Sequence, residues 1–210
     1  TVPDFSVGML CLMAAGGIGG GICGRSVNKK LDSSAQNSYA GVTNKLLSKQ
    51  AQKICVAYEG MERFFDKEKI MLTGNPVRQG LINHSISRED AIRSFRLDPE
   101  KRTVLILGGS LGARSINQCM IENLEKIKSS GVQFIWQTGK IYFENAISAI
   151  AEAGELPMLH VTDFISDMAT AYQAADLIIS RAGAGSISEF CLLGKPVILV
   201  PSPNVARSWP

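Results

Sequence analysis

From Thr103 to Val200 short apolar runs alternate with helical segments, and at two of the junctions an apolar run passes through a turn of small residues into a helix. Val104-Leu105-Ile106-Leu107 runs into Gly108-Gly109-Ser110-Leu111-Gly112-Ala113, and Asp176-Leu177-Ile178-Ile179 runs into Ser180-Arg181-Ala182-Gly183-Ala184-Gly185-Ser186-Ile187-Ser188-Glu189. Apolar runs this short, alternating with helical segments, require a parallel sheet covered by helices on both faces. The reading gives strands at 103–107, 132–137, 158–161, 176–180 and 196–200. Helices are expected at about 113–129, 140–153, 167–174 and 185–193, with Gly131, Gly154 and Gly194 closing three of them. Upstream, Tyr39 to Gln52 is helix-permissive, and Ile54 to Ala57 is a short strand. Gly60 to Lys69 reads as a loop with a helical turn, and Ile70-Met71-Leu72 leads into Thr73-Gly74-Asn75-Pro76-Val77-Arg78, a turn set by Gly and by Asn before Pro. Ser87 to Phe95 reads as a helix capped by Ser87.

Composition narrows the function classes. A net charge of +3, with no basic stripe interleaved with aromatics, gives no case for nucleic acid. The five cysteines (11, 23, 55, 119, 191) form no C-x-x-C pair and read as reduced thiols. With only His84 and His160, a histidine-rich metal site is excluded. Phe5 to Cys23 is uncharged and 19 residues long, enough to span a bilayer, but six of those residues are glycine. Asp4 before it and Arg25, Lys29 and Lys30 after it reverse the charge order of a signal peptide. A glycine-rich loop with a disturbed helix is preferred to a membrane span. The chain opens on Thr1 and closes on Arg207-Ser208-Trp209-Pro210 just after a strand-like run, so it is expected to be an incomplete or aberrant form of a longer protein.

Each junction admits two readings. The turn from Gly108 to Ala113 sits where open parallel sheets place their ligands, so its backbone and Ser110 suit a phosphate. It equally suits a plain tight turn with Ser110 as helix cap. Ser186-Ile187-Ser188-Glu189 matches a capping box, which would turn Glu189 back on its own helix. Alternatively Glu189 accepts hydrogen bonds from a ribose diol. Arg78, after a rigid turn, suits phosphate oxygens or is a plain surface arginine. Lys45, Lys49 and Lys53 recur every four residues and are expected to line one helix face, solvated in preference to lipid-bound. His160, in a short apolar run, is expected to be structural.

Taken together, Gln36 to Lys45, Thr73 to Arg78, Gly108 to Ala113, Phe164-Ile165-Ser166-Asp167-Met168-Ala169, Ser180 to Glu189, and Gly194-Lys195-Pro196 through Pro201-Ser202-Pro203 follow one another in the order of a known family. The chain closely resembles the MurG family of bacterial cell-wall N-acetylglucosaminyltransferases, from about Gln36 to Ala206. The resemblance implies an α/β chain of the GT-B glycosyltransferase fold, built from Rossmann-like parallel sheets. Residues 1–78 would be a partial N-terminal acceptor-binding domain and 79–102 an inter-domain connection. Residues 103–210 would be a nearly complete, truncated C-terminal UDP-sugar-binding domain.

It further implies UDP-N-acetylglucosamine as donor and lipid I, the undecaprenyl-linked muramyl pentapeptide, as acceptor. The acceptor hydroxyl would attack the anomeric carbon with inversion, forming lipid II for peptidoglycan synthesis. No metal or other cofactor is expected, and the place of work is the cytoplasmic face of the inner membrane, as a peripheral protein. The positions matching the family's substrate-binding residues are Asn37, Arg78, Ser110, Ile165, Ala184, Gly185, Ser186, Ile187, Ser188 and Glu189. Arg78 and Ser110 would face the diphosphate, Ile165 the uracil and Glu189 the ribose.

The family's first glycine loop, with its proposed general-base histidine, has no counterpart in this chain. The glycines of residues 6–20 do not match the family's second loop, Ala35 replaces a glutamate, and Arg207-Ser208-Trp209 stands where the family reads Asp-His-Gln. The isolated chain is therefore expected to be a poor or inactive catalyst. Two other classes share parts of the pattern: a UDP-N-acetylglucosamine 2-epimerase-like isomerase and a non-catalytic UDP-binding module.

Overall fold

The computed structural model describes residues 32–81, 85–109 and 112–202. The span read at Phe5–Cys23, together with His84, Ser110 and Pro203–Ala206, lies outside the described residues. The chain divides into two compact units, Thr1–Pro76 and Val77–Pro210.

The first unit holds three parallel strands in the order β1-β2-β3: β1 (Asp32–Ala35), β2 (Lys53–Val56) and β3 (Ile70–Leu72). Its core is Ala35, Ala40, Ala51, Ile54, Val56, Met61 and Phe65. Helix α1 (Val42–Ser48) is shorter than the expected 39–52 segment. Ser48 ends it by donating its hydroxyl to the Lys45 carbonyl at 2.8 Å, a local bond that competes with continued helix. The three lysines therefore do not share a helix face. Lys45 lies over the rings of Tyr39 and Phe64, Lys49 is the C-cap, and Lys53 belongs to β2. β1 was not legible in Asp-Ser-Ser-Ala, which has no strand propensity; it exists by pairing along β2 from Asp32↔Lys53 to Ala35↔Val56.

The second unit opens with a single turn at Gln79–Leu81 and α2 (Arg88–Ser94), where Ser87 accepts from the Asp90 N–H as expected. Five strands follow: β4 (Thr103–Leu107), β5 (Gln133–Gln137), β6 (Leu159–Thr162), β7 (Leu177–Arg181) and β8 (Val197–Val200). All pairs are parallel and the order is β6-β5-β4-β7-β8. The connecting helices are α3 (Arg114–Glu122), α4 (Leu124–Ser129), α5 (Phe143–Ala153), α6 (Met168–Ala174) and α7 (Ala184–Leu193). The single helix expected over 113–129 is instead two, broken at Asn123, whose amide donates to the Cys119 carbonyl at 2.8 Å.

Strand alternation sorts the core into two layers. Leu105, Leu107, Ile135 and Ile178 face one layer with Ile92, Tyr172 and Phe190. Ile106 and Trp136 face the other with Ile116, Met120 and Ala146. Both faces of β4 and β5 are thus covered, which is why their sequences are nearly continuous apolar runs. Residues 79–102 also contribute to the first layer, through Leu81, Ala91, Ile92 and Leu97.

An ion pair fixes the amino ends of the central strands. Arg88 meets Asp176 with Nε at 3.2 Å and Nη2 at 2.8 Å, and donates to the Pro99 and Lys101 carbonyls. Asp176 in turn accepts from the Thr103 N–H at 2.8 Å. Partial burial pushes the Asp176 carboxyl up, but the bonds from Arg88 and Thr103 and the charges of Arg88 and Arg102 outweigh it and hold it below the usual range.

Candidate substrate-binding cleft

The sheet order places the switch in winding direction between β4 and β7. The chain leaves β4 toward β5 and β6, then returns past β4 to lay down β7 and β8. Side-by-side strands whose connections diverge leave a crevice at their carboxyl ends, the usual ligand position in such sheets. Here both junctions singled out in the sequence open onto that crevice.

On the β4 side, the Gly108 N–H extends the ladder to the Gln137 carbonyl at 3.1 Å, and the Gly112 N–H closes a turn on Gly109 at 3.1 Å. A Cβ at Gly108 would stand 2.9 Å from the Ala113 nitrogen and 3.2 Å from the Gln137 and Thr138 carbonyls. Gly112 has φ +82°, and a Cβ there would collide with the Tyr142 ring and the Thr138 carbonyl. The protein's own packing therefore demands these two glycines. Gly109 differs: its φ is +74°, and nothing stands within 4 Å of where its Cβ would be. Helix α3 is pinned behind this turn by buried Asn117, which donates to the Thr138 carbonyl at 2.8 Å and accepts from the Trp136 ring nitrogen at 2.9 Å.

On the β7 side, Gly183 is the extended N-cap residue of α7, and the first helical bond is Ile187 N–H to the Gly183 carbonyl at 2.9 Å. Ser186 is thus already inside the first turn, and the capping box read at Ser186-x-x-Glu189 does not form. Glu189 turns outward from that role. Its Oε2 accepts from the Tyr172 hydroxyl at 2.9 Å, and its Oε1 lies 3.4 Å from Arg78 Nε. Arg78 is therefore not a lone surface cation, although its side chain is 64% exposed against 13% for Glu189.

Between the junctions lies a cleft of about 650 Å³ lined by Gly108, Gly112, Arg114, Ser115, Tyr142 and Arg181. α3 starts at the cleft, with Arg114 and Ser115 in its lining, and α7 starts at the carboxyl end of the adjacent strand β7, soon after Arg181. Arg181 spans its floor, donating to the Ser115 hydroxyl at 2.8 Å and the Pro201 carbonyl at 2.7 Å. Sequence reading passed over Arg181 and Tyr172. Arg181 carried a usable signal, a charge at the carboxyl end of a buried strand; Tyr172 carried none, because its partner lies 17 residues away.

The remaining expected site residues are placed as follows. Ile165 is 6% exposed, and its side chain packs into the core layer with Tyr172 and Phe190. Asn37 is exposed in the loop after β1, in the first unit. Ala184 to Ser188 form the first turns of α7, where the Ser188 hydroxyl donates to the Ala184 carbonyl at 3.1 Å. His160 stands in β6 against the edge of Phe95, ring centroids 5.1 Å apart, and burial lowers its pKa. Among the described residues no three His, Cys, Asp or Glu side chains are grouped to hold a metal ion, and no helix is long and apolar enough to cross a membrane.

Comparison with known proteins accords with this arrangement. Residues 103–208 match the glycosyltransferase family 28 C-terminal domain. A Phocaeicola vulgatus protein named UDP-N-acetylglucosamine--N-acetylmuramyl-(pentapeptide) pyrophosphoryl-undecaprenol N-acetylglucosamine transferase is 81% identical over 172 residues, covering 82% of this chain and 46% of that protein. A Christiangramia forsetii protein of the same name is 46% identical over 209 residues, 98% of this chain and 54% of that protein. The crystal structure of Acinetobacter baumannii MurG superposes with a TM-score of 0.56 at 29% identity, covering 85% of this chain and 47% of that one. The chain thus spans about half the length of the curated relatives it matches. With its parallel sheets, its paired glycine junctions and a domain match over half its length, the chain belongs to glycosyltransferase family 28.

Proposed function

We propose that the second unit binds the donor, UDP-N-acetylglucosamine, for inverting transfer of N-acetylglucosamine to lipid I. The observation that carries this reading is that helices α3 and α7 begin at the carboxyl ends of the adjacent strands β4 and β7, with the Glu189 carboxylate of α7 held by Tyr172 and Arg78. In this arrangement the diphosphate lies across the Gly108–Ala113 turn, where Gly109 leaves room for close approach. Ser110 and the amides of Gly185 and Ser186 donate to its oxygens, with Arg78 beside them. The Glu189 carboxylate receives the ribose hydroxyls. Ile165 serves the uracil through its backbone, since its side chain is spent in the core. The same donors offset negative charge growing on UDP as the glycosidic bond breaks.

Residues 1–78, including Asn37, belong in this reading to the acceptor-binding side, 79–102 to the connection, and 103–210 to the donor domain. Work at the cytoplasmic face of the inner membrane, as a peripheral protein, follows from the polyprenyl-linked acceptor. Calorimetric titration with UDP tests the reading. Glu189→Ala should weaken binding about tenfold or more, the scale of lost hydrogen bonds to a charged acceptor. Equal affinity in the two proteins would refute the site.

A further inference from the structure

We propose that Tyr172 is a positioning residue for donor recognition: from a buried ring it holds Oε2 of Glu189 so that both carboxylate oxygens present acceptor positions to a vicinal diol. The proposal rests on the reading of Glu189 as the ribose-binding group. A carboxylate accepts about four hydrogen bonds, two per oxygen. Oε2 already receives the Tyr172 hydroxyl at 2.9 Å, and Oε1 forms a looser ion pair with the mostly exposed Arg78, Nε at 3.4 Å. At least one acceptor position is left on each oxygen, and two adjacent hydroxyls are a ligand that fills one on each.

The two partners differ in kind. Arg78 is mostly exposed and free to follow a ligand. Tyr172 is 3% exposed, held in the core layer and edge-on to Phe190 with centroids 5.8 Å apart and planes at 88°. Its hydroxyl cannot leave Glu189 without losing a buried hydrogen bond. Burial, then the neighbouring Glu189 charge, raises the phenol pKa, so the group remains a donor over the whole working pH range. α6 thereby dictates the orientation of a carboxylate carried by α7, before any ligand arrives. Such preorganisation lowers the ordering cost of binding.

The test compares UDP with 2′,3′-dideoxy-UDP, by calorimetry, on the full chain and its Tyr172→Phe and Glu189→Ala variants. The parent should prefer UDP by about tenfold or more. Tyr172→Phe, with folding checked by thermal melting, should bind the dideoxy nucleotide within about twofold of the parent yet lose about five- to tenfold for UDP. A merely structural tyrosine would weaken both nucleotides alike or neither, and either outcome overturns the proposal. If Glu189→Ala abolishes the preference while Tyr172→Phe keeps it, the ribose reading stands and the positioning role falls. If neither variant alters the preference, both fall. Should Tyr172→Phe not fold, 3-fluorotyrosine at position 172 gives a second readout: its fluorine resonance should shift with UDP and not with the dideoxy nucleotide. Equal shifts with both would overturn the proposal.

Discussion

In the glycine turn after β4, packing demands glycine at some positions and not at others. Gly112 is locked by its positive φ and by the Tyr142 ring and Thr138 carbonyl beside it. Gly112→Ala should therefore lower the unfolding free energy by about 2–4 kcal/mol, measured by denaturant titration, as a strained backbone and a core clash together imply. Gly109→Ala meets open space and should cost only the left-handed backbone penalty, about 1–2 kcal/mol, while crowding the diphosphate and weakening UDP binding. Comparable losses of stability in the two variants would contradict this division. The sequence left phosphate loop and plain turn as equal readings; packing accounts for Gly108 and Gly112, and the proposed phosphate approach is left to Gly109. Glu189 shows a further limit of sequence. Its capping-box pattern was local and complete, yet it was overridden because α7 starts at Ala184, placing Ser186 inside the helix.

Elements were legible where periodicity and burial agreed. β4, β5 and β7 are flanked by glycine or turn signals and lie in the middle of a sheet covered on both faces, so their apolar runs stand out. β1 was hidden because Asp-Ser-Ser-Ala has no apolar alternation and is a strand by its pairing along β2, and the break between α3 and α4 because Asn123 acts through a side-chain bond that periodicity does not register. The Arg88–Asp176 pair was equally invisible, joining α2 to the start of β7 across 88 residues. It carries a pH dependence of definite sign. The folded Asp176 pKa lies below its unfolded value, near 3.9, so the unfolded chain takes up the proton first as pH falls. The stabilisation is full above about pH 5 and is lost on the acid side. Asp176→Asn should be less stable than the parent at neutral pH, and the gap between their denaturant midpoints should narrow toward about pH 3. A gap independent of pH would contradict the assignment.

For the molecule as a whole, the proposed function puts a nucleotide-diphosphate site at the carboxyl ends of β4 and β7 in the second unit. Family membership and the parallel sheets are compatible with several ligands; the proposed site adds Glu189, which the fold joins to Tyr172 and Arg78, and the glycine turns at the ends of β4 and β7. Titrating the isotopically labelled chain with UDP and following its backbone amide resonances tests this claim most directly. The predicted result is that the largest shifts cluster on Gly108 to Ser115 and Gly183 to Glu189, with the amino ends of the same strands, Thr103 and Leu177, left in place. Shifts centred on those amino ends, or on residues 32–76, would contradict it.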